Sequence, residues 1–334
     1  MNTRLSLALA VFVLPTLFMP ARAQDKTKTS DSLQVARDRM ILQAALRFPF
    51  LRLAGIESEV DGNMHYTSKL HGKDFLQGTI QPNSIRGWTT LPIYTKGTQQ
   101  ISTTLSWLSQ DMTLKNTADK EPELPVSNGQ YHLQTLSFAV NYKRQDSLFH
   151  KRWISGGSLI TSSSLQDPVD KVSGLLYGIV ILKATRTTII SAGALVLINA
   201  AGITPVLPTF SYWHKFHGSP WEISIDMPAH ALLRTNVFSK GLLSLGTELS
   251  DNTLFKKIDQ PLLPPHIVYR DTDLKSGLTL EYPILKKVLA GCKFGMLNPI
   301  LIRVLERSAS YNEYDILAHR NPGPYLSFSL SLIP

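Results

Sequence analysis

Apolar and polar residues alternate over most of the chain from residue 84 onward. That period sends successive side chains to opposite faces of a strand. It predicts strand pairs over 84–96 and 100–114, then over 130–143 and 151–164. In the first pair Ile101, Thr103, Leu105 and Trp107 oppose Ser102, Thr104 and Ser106; in the second Leu136, Phe138, Val140 and Tyr142 oppose Ser137, Ala139 and Asn141. Stretches 171–183 and 187–199 are almost continuously apolar, which predicts a hairpin buried on both faces, beneath a plug or against a narrow lumen. In 208–234 two runs meet at Gly218-Ser219-Pro220. Phe210, Tyr212, His214 and Phe216 share one face of the first run; Trp221, Ile223, Ile225 and Met227 share one face of the second. Further strands are expected at 241–249, 277–282 and 287–295. The chain closes on 324–332, where Leu326, Phe328, Leu330 and Leu332 oppose Tyr325, Ser327, Ser329 and Ser331.

Elsewhere the pattern is weaker. Stretch 37–48 suits a short helix or a first strand, 51–63 an early strand running into an acidic loop, and 65–81 a Gly-punctuated loop. Pro, Asp, Glu and Asn make 116–129 the clearest long loop, and 298–321 reads as irregular, with one strand and a loop.

The first 23 residues have a basic start, a short apolar run and the small-residue triplet Ala21-Arg22-Ala23, the signature of a cleaved signal peptide. Residues 24–36 read as a flexible periplasmic leader and 37–334 as one domain. Removing Arg4 and Arg22 with the signal lowers the formal charge from +9 to +7, with no basic block, which disfavours nucleic-acid binding. Cys292 is the only cysteine, so no disulfide framework exists. No segment after the signal gives about 18 uninterrupted apolar residues, so this chain spans a membrane as a barrel or not at all.

Alternation alone also suits a soluble β-sandwich or a ligand-binding periplasmic barrel. Three features favour an all-β, antiparallel transmembrane β-barrel of about 12 strands: the export signal, lumen-like faces rich in Ser, Thr and Gly, and aromatics near strand ends. Trp107, Trp153, Tyr212, Trp213, Trp221, Tyr282 and Tyr325 form the expected interfacial girdle. An even strand number puts both termini in the periplasm. The expected partners are outer-membrane lipid, the barrel-assembly machinery and a small solute. The ending Ile333-Pro334 departs from the terminal aromatic that usually signals assembly.

Tyr212-Trp213-His214, the Trp-initiated strand 221–228, Arg234, and Leu243 to Glu248 in the form Leu-x-Leu-Gly-x-Glu carry a resemblance. So do stretches 195–208 and 324–332. The chain resembles, mainly over 130–334, a family of Gram-negative outer-membrane β-barrel proteins without an assigned reaction. The resemblance implies a fold and a location, not an activity.

Candidate chemistry is sparse. Glu222 and Asp226 share a parity, Arg234 joins it if no bulge intervenes, and Glu248 and Glu281 hold the polar parity of other strands. Together they form a candidate lumenal charge cluster, which either shapes solute selectivity or fills a narrow lumen with ion pairs. His214 and His217 lie on opposite faces and cannot chelate together. Stretch 57–62 mimics the start of a calcium loop, but Ser68 stands where its bidentate carboxylate belongs, so a solvated loop is expected. There is no phosphate loop or dinucleotide fingerprint, so no cofactor is expected. A lipid hydrolase or deacylase needs a Ser–His pair and a third group; Ser211 and His217 share a parity but lie roughly 20 Å apart along a strand. The favoured expectation is a non-enzymatic barrel, structural or a narrow porin-like solute pathway.

Overall fold

The structure, a computed structural model, describes residues 28–119, 128–148, 150–166, 169–198, 205–238, 240–258, 263–309 and 313–334. The signal-peptide stretch therefore lies outside the described residues. The chain divides into two units, one ending at Met40 and one running from Ile41 to Pro334. A helix, α1 (Lys28–Arg47), replaces most of the expected leader: 24–36 is helical from Lys28, and 24–27 is outside the described residues. The α1 residues that belong to the second unit, 41–47, include Leu42, Ala45 and Leu46, which pack there.

Sixteen strands follow: β1 (Ala54–Asp61), β2 (Met64–Leu70), β3 (Lys73–Lys96), β4 (Gln99–Asp119), β5 (Gly129–Leu148), β6 (Lys151–Ser163), β7 (Lys171–Ala184) and β8 (Thr188–Ile198). The second half is β9 (Val206–Lys215), β10 (Trp221–Met227), β11 (His230–Val237), β12 (Gly241–Lys257), β13 (His266–Leu285), β14 (Val288–Glu306), β15 (Ile316–Arg320) and β16 (Gly323–Leu332). Every pairing is antiparallel between neighbours in sequence until the ends meet. There β1 pairs with both β3 and β16, and β16 pairs on with β14, so the sheet closes on itself. β2 continues β1 along β3, and β15 leads into β16 along β14. Their mutual register runs unbroken in step from Ala54↔Leu332 to Leu70↔Ile316.

The sixteen described segments thus form fourteen staves, two more than the twelve expected. The shortfall arose where strands carry no apolar alternation. The acidic 57–61 and the polar 65–81 are strand in β1, β2 and β3, and the irregular 298–321 holds the end of β14 and all of β15. β4 likewise runs to Asp119, shortening the loop expected at 116–129, of which 120–127 is outside the described residues.

The two ends differ. At the base, where β1 begins and β16 finishes, connections are two to five residues long; at the crown, five of seven run to seven residues or more. At the base turn 216–220, Gly218 takes φ +69°, a left-handed conformation that glycine adopts freely.

Facing follows the alternation. On β16, Ser327 and Ser331 are 1 and 3 % exposed, whereas Phe328 and Leu330 expose 58 and 48 %. The apolar side chains therefore point out of the barrel and the small polar ones inward. Ile56, Val60, Leu91, Phe138, Leu159, Leu176, Leu245 and Phe294 continue this exposed outer belt round the ring.

The crown half is packed shut on one side. Met64, Leu70, Phe75, Leu76, Ile80, Met112, Leu114 and Leu133 meet Leu254, Tyr269, Leu297, Ile302, Ile316 and Tyr325 across the lumen. β5 and β12 touch there: the Phe255 N–H donates to Thr135 Oγ1 at 3.2 Å, and Lys256 Nζ to the His132 carbonyl at 3.3 Å. The contact lies beyond the paired lengths of β6 and β11, and β6–β11 contribute no residue to this packing.

Candidate functional site

The lumen is zoned by what its inward parity carries. From β3 to β6 it carries hydroxyls and amides. Thr90 and Thr104 share a hydrogen bond of 3.0 Å, Asn141 Nδ2 donates to Thr104 Oγ1 at 3.1 Å, and Ser158 Oγ donates to Asn141 Oδ1 at 2.7 Å. Each neutral group finds its partner on the next strand, as a narrow polar wall requires.

The zone from β12 round to β3 is charged. Lys275 Nζ donates to both oxygens of Glu59, at 2.5 and 2.7 Å. Lys293 Nζ donates to Glu248 Oε2 at 3.1 Å and lies 3.6 Å from Glu57, whose Oε1 accepts from Ser327 at 2.7 Å. Arg86 donates to Asn252. These side chains surround a cavity of about 160 Å³. Towards the crown, Arg320 Nη2 donates to both Asp273 oxygens at 2.8 and 2.9 Å. Its Nη1 lies 3.8 Å from Asp271, which accepts from Tyr269 OH at 3.3 Å. All three charged side chains of this group are at most 3 % exposed.

The base is closed by the end of α1 and the turn after it. Ala45 and Leu46 pack on Leu242, Leu289 and Ile333 inside the mouth. Arg47 Nε lies 2.9 Å from Glu222 Oε1 and donates to Oε2 at 3.0 Å. Arg234 Nη1 donates to the Arg47 carbonyl at 3.1 Å, taking up one of the acceptors left open at a helix end. Arg52 Nη2 lies 2.7 Å from Glu281 Oε1, an ion pair without hydrogen-bond alignment, and Arg52 Nε donates to the Ala45 carbonyl at 3.1 Å.

Of the five charged residues singled out in sequence, Glu222, Arg234, Glu248 and Glu281 face the lumen, but not as one cluster. Glu222 stands opposite Arg234 in register and joins the base closure with Glu281; Glu248 belongs to the mid-lumen group. Asp226 keeps the same parity yet is exposed near the crown end of short β10. The partners of the other four, Arg47, Arg52 and Lys293, carry no signal in the sequence pattern, nor do Lys275 and Arg320, while Glu57 and Glu59 stand out there only as the mimic of a calcium loop. Alternation of Glu57, Glu59 and Asp61 was the one available signal. These are inward residues of β1 rather than a solvated loop.

Among the aromatics, Trp153, Tyr212, Trp221 and Tyr282 lie on the outer face within a few residues of the base ends, and Trp107 lies outside on β4. Trp213 and Tyr325 are corrections. Trp213 pairs opposite Ser224, which shares inward parity with Glu222. Tyr325 pairs opposite Asp61, is 6 % exposed and sits in the crown core with Lys275 Nζ 5.7 Å from its ring centre. Strand parity decides facing, and an aromatic near a strand end has no freedom to override it.

His214 lies on the outer face, stacked with Tyr212 and edge-on to Phe216, its Nδ1 2.8 Å from Thr188 Oγ1. Among the described residues the Ser–His pair that forms differs from the pair of Ser211 and His217 expected from sequence parity. Ser224 Oγ lies 3.3 Å from His230 Nε2 across the β10–β11 hairpin, with Asp226 opposite His230 in register.

No protein-family model matches this chain, and no curated protein sequence matches it either. Solved structures similar to it include the translocator domain of the autotransporter NalP from Neisseria meningitidis, at 10 % identity and TM-score 0.32 over 91 % of this chain and 96 % of that one. An outer-membrane channel from Pseudomonas putida F1 aligns at 8 % identity and TM-score 0.35 over 84 and 96 %. The toluene transporter TodX from Pseudomonas putida aligns at 9 % and 0.30 over 86 and 93 %.

Proposed function

We propose that this chain is an outer-membrane β-barrel whose lumen is a narrow solute pathway held shut at its base by residues 41–52. The observation that carries the reading is the closed fourteen-stave ring with an exposed apolar belt outside and polar staves within. In water such a belt is an aggregation surface; in lipid it is the required exterior, and ring closure pairs every stave with a neighbour on both sides over its base half. Short base turns then face the periplasm and the longer crown connections face outside. Apolar packing fills the crown between β2–β5 and β12–β16, and the solute route in this reading follows the inner wall of β6–β11, which takes no part in that packing. It ends at the Arg47–Glu222 and Arg52–Glu281 pairs.

Conductance in planar bilayers tests this. The wild-type chain should show rare, small steps, and a chain lacking residues 24–52 frequent larger ones; equal silence from both would end the pathway reading. A protein washed from the envelope fraction by salt, with gel migration unchanged by boiling, would end the barrel reading.

The Ser224–His230 contact favours a second reading, a hydrolase acting on acyl esters. The backbone N–H groups of β10 and β11 lie in paired strands, so in this reading a side-chain donor holds the oxyanion. Ester hydrolysis that disappears in Ser224→Ala would establish it.

A further inference from the structure

The inward face of β7–β9 is apolar on its crown side and carries Ser191, Gly193, Thr209 and Ser211 between that wall and Trp213. Leu195 on β8 stands opposite Tyr177 on β7 and Leu207 on β9, with Leu175 and Ile179 to either side of Tyr177 on the same face. These side chains belong to none of the apolar clusters among the described residues, and each is only half-buried. A barrel lumen that carries water is expected to be lined by polar groups, and apolar wall left facing water is unfavourable. The polar zones flank it: the hydroxyl ladder of β3–β6 on one side, and Glu222, Ser224 and His230 on the other.

A second observation points to a ligand. Trp213 Nε1 and Thr209 Oγ1, on the same inward face of β9 and four residues apart, are buried polar atoms with no hydrogen-bond partner among the described residues. Burying such groups unpaired is unfavourable, and an indole N–H only donates. What completes the site must therefore bring an acceptor to Trp213 and apolar surface to the wall beside it. Leu207 to Trp213 spans roughly 20 Å of strand, with Thr209 and Ser211 between them, and the wall is three strands, about 10 Å, across. A single aliphatic chain suits that strip better than the two-chain body of a membrane phospholipid.

We propose that the lumenal face of β7–β9 binds a single-chain amphiphile, its aliphatic chain along Leu195, Tyr177 and Ile179 and its acceptor head at Trp213. This deepens the pathway reading above and rests on it. Trp213 is one of five tryptophans, so variants retaining only Trp213 or only Trp221, the others changed to Phe, report the lumen and the outer face separately. In phosphatidylcholine vesicles, free 9,10-dibromostearate should quench Trp213 saturably, while brominated phosphatidylcholine should not. Leu195→Glu should weaken the dibromostearate effect tenfold or more with heat-modifiable migration intact. Absence of saturable quenching, or quenching indifferent to Leu195→Glu, overturns the proposal. Trp221 should respond to brominated phosphatidylcholine; if it does not, the membrane barrel itself fails, an outcome distinct from loss of the lumenal site. Native mass spectrometry of the otherwise unaltered chain gives the same test without tryptophan replacement. A one-to-one stearate adduct lost in Leu195→Glu is expected, and no adduct overturns the site.

Discussion

Arg47 Nε sits 2.9 and 3.0 Å from the two oxygens of Glu222, a residue 175 positions away and 2 % exposed. The contact ties the last turn of a helix to the inner wall of a barrel at its mouth. Removing Arg47 leaves a carboxylate closed off from water, and losing one partner of a buried pair costs about 3–5 kcal/mol. Arg234, opposite Glu222 in register, limits that cost by supplying a second guanidinium.

Arg47→Gln should therefore lower the urea midpoint modestly but raise the open probability in planar bilayers several-fold. The charge-swapped pair Arg47→Glu with Glu222→Arg should recover part of the closure. An open probability unchanged in Arg47→Gln would mean that apolar packing of Ala45 and Leu46 closes the mouth without help from the ion pair.

Facing on the closing strand predicts an asymmetric pair of substitutions. Phe328→Lys puts an ammonium on the outer belt and should cost about 2–4 kcal/mol near the bilayer midplane, seen as loss of the folded, heat-modifiable form. Ser329→Lys points inward beside Glu57, its partner across β1, and should assemble normally. The reverse ranking would turn the strand inside out.

Arg320 holds Asp273 and faces Asp271 where none of the three reaches solvent. Arg320→Leu should destabilise the barrel by about 3–5 kcal/mol, and adding Asp271→Asn and Asp273→Asn should recover most of it, because the uncompensated charge goes with the carboxylates. Urea unfolding followed by gel migration reads both. Equal losses in the single and triple variants would assign the cost to packing.

Cys292 pairs opposite Phe328 and shares its outward face. In vesicles it should resist a membrane-impermeant maleimide and react fully after denaturation. Rapid labelling of the folded protein would place it outside the belt.

Much of the wall could be read from the chain. Alternation in 324–332 gave both the strand and its facing, because a half-buried strand repeats every two residues whatever it pairs with. The same logic set Glu222 and Arg234 on one inner face before their register was known. A preference for aromatics at interfaces misplaces Trp213 and Tyr325, which follow parity, and 65–81 hides its strands because Leu70, Phe75, Leu76 and Ile80 are scattered among polar residues without a two-residue repeat. Such a stretch has the composition of a loop and becomes strand only because β2, β3 and β15 pair there.

The sequence by itself determined a β chain with an apolar and a polar side to most of its strands, since side-chain alternation is a local property of extended backbone. Only the tertiary structure decided that fourteen staves close into a ring, that Arg47 and Arg52 meet Glu222 and Glu281 at its base, and that β7–β9 turn an apolar face inward. Those outcomes depend on contacts between residues often more than a hundred positions apart. Which distant partner a strand or a charge finds is fixed by closure and register, not by its neighbours in the chain.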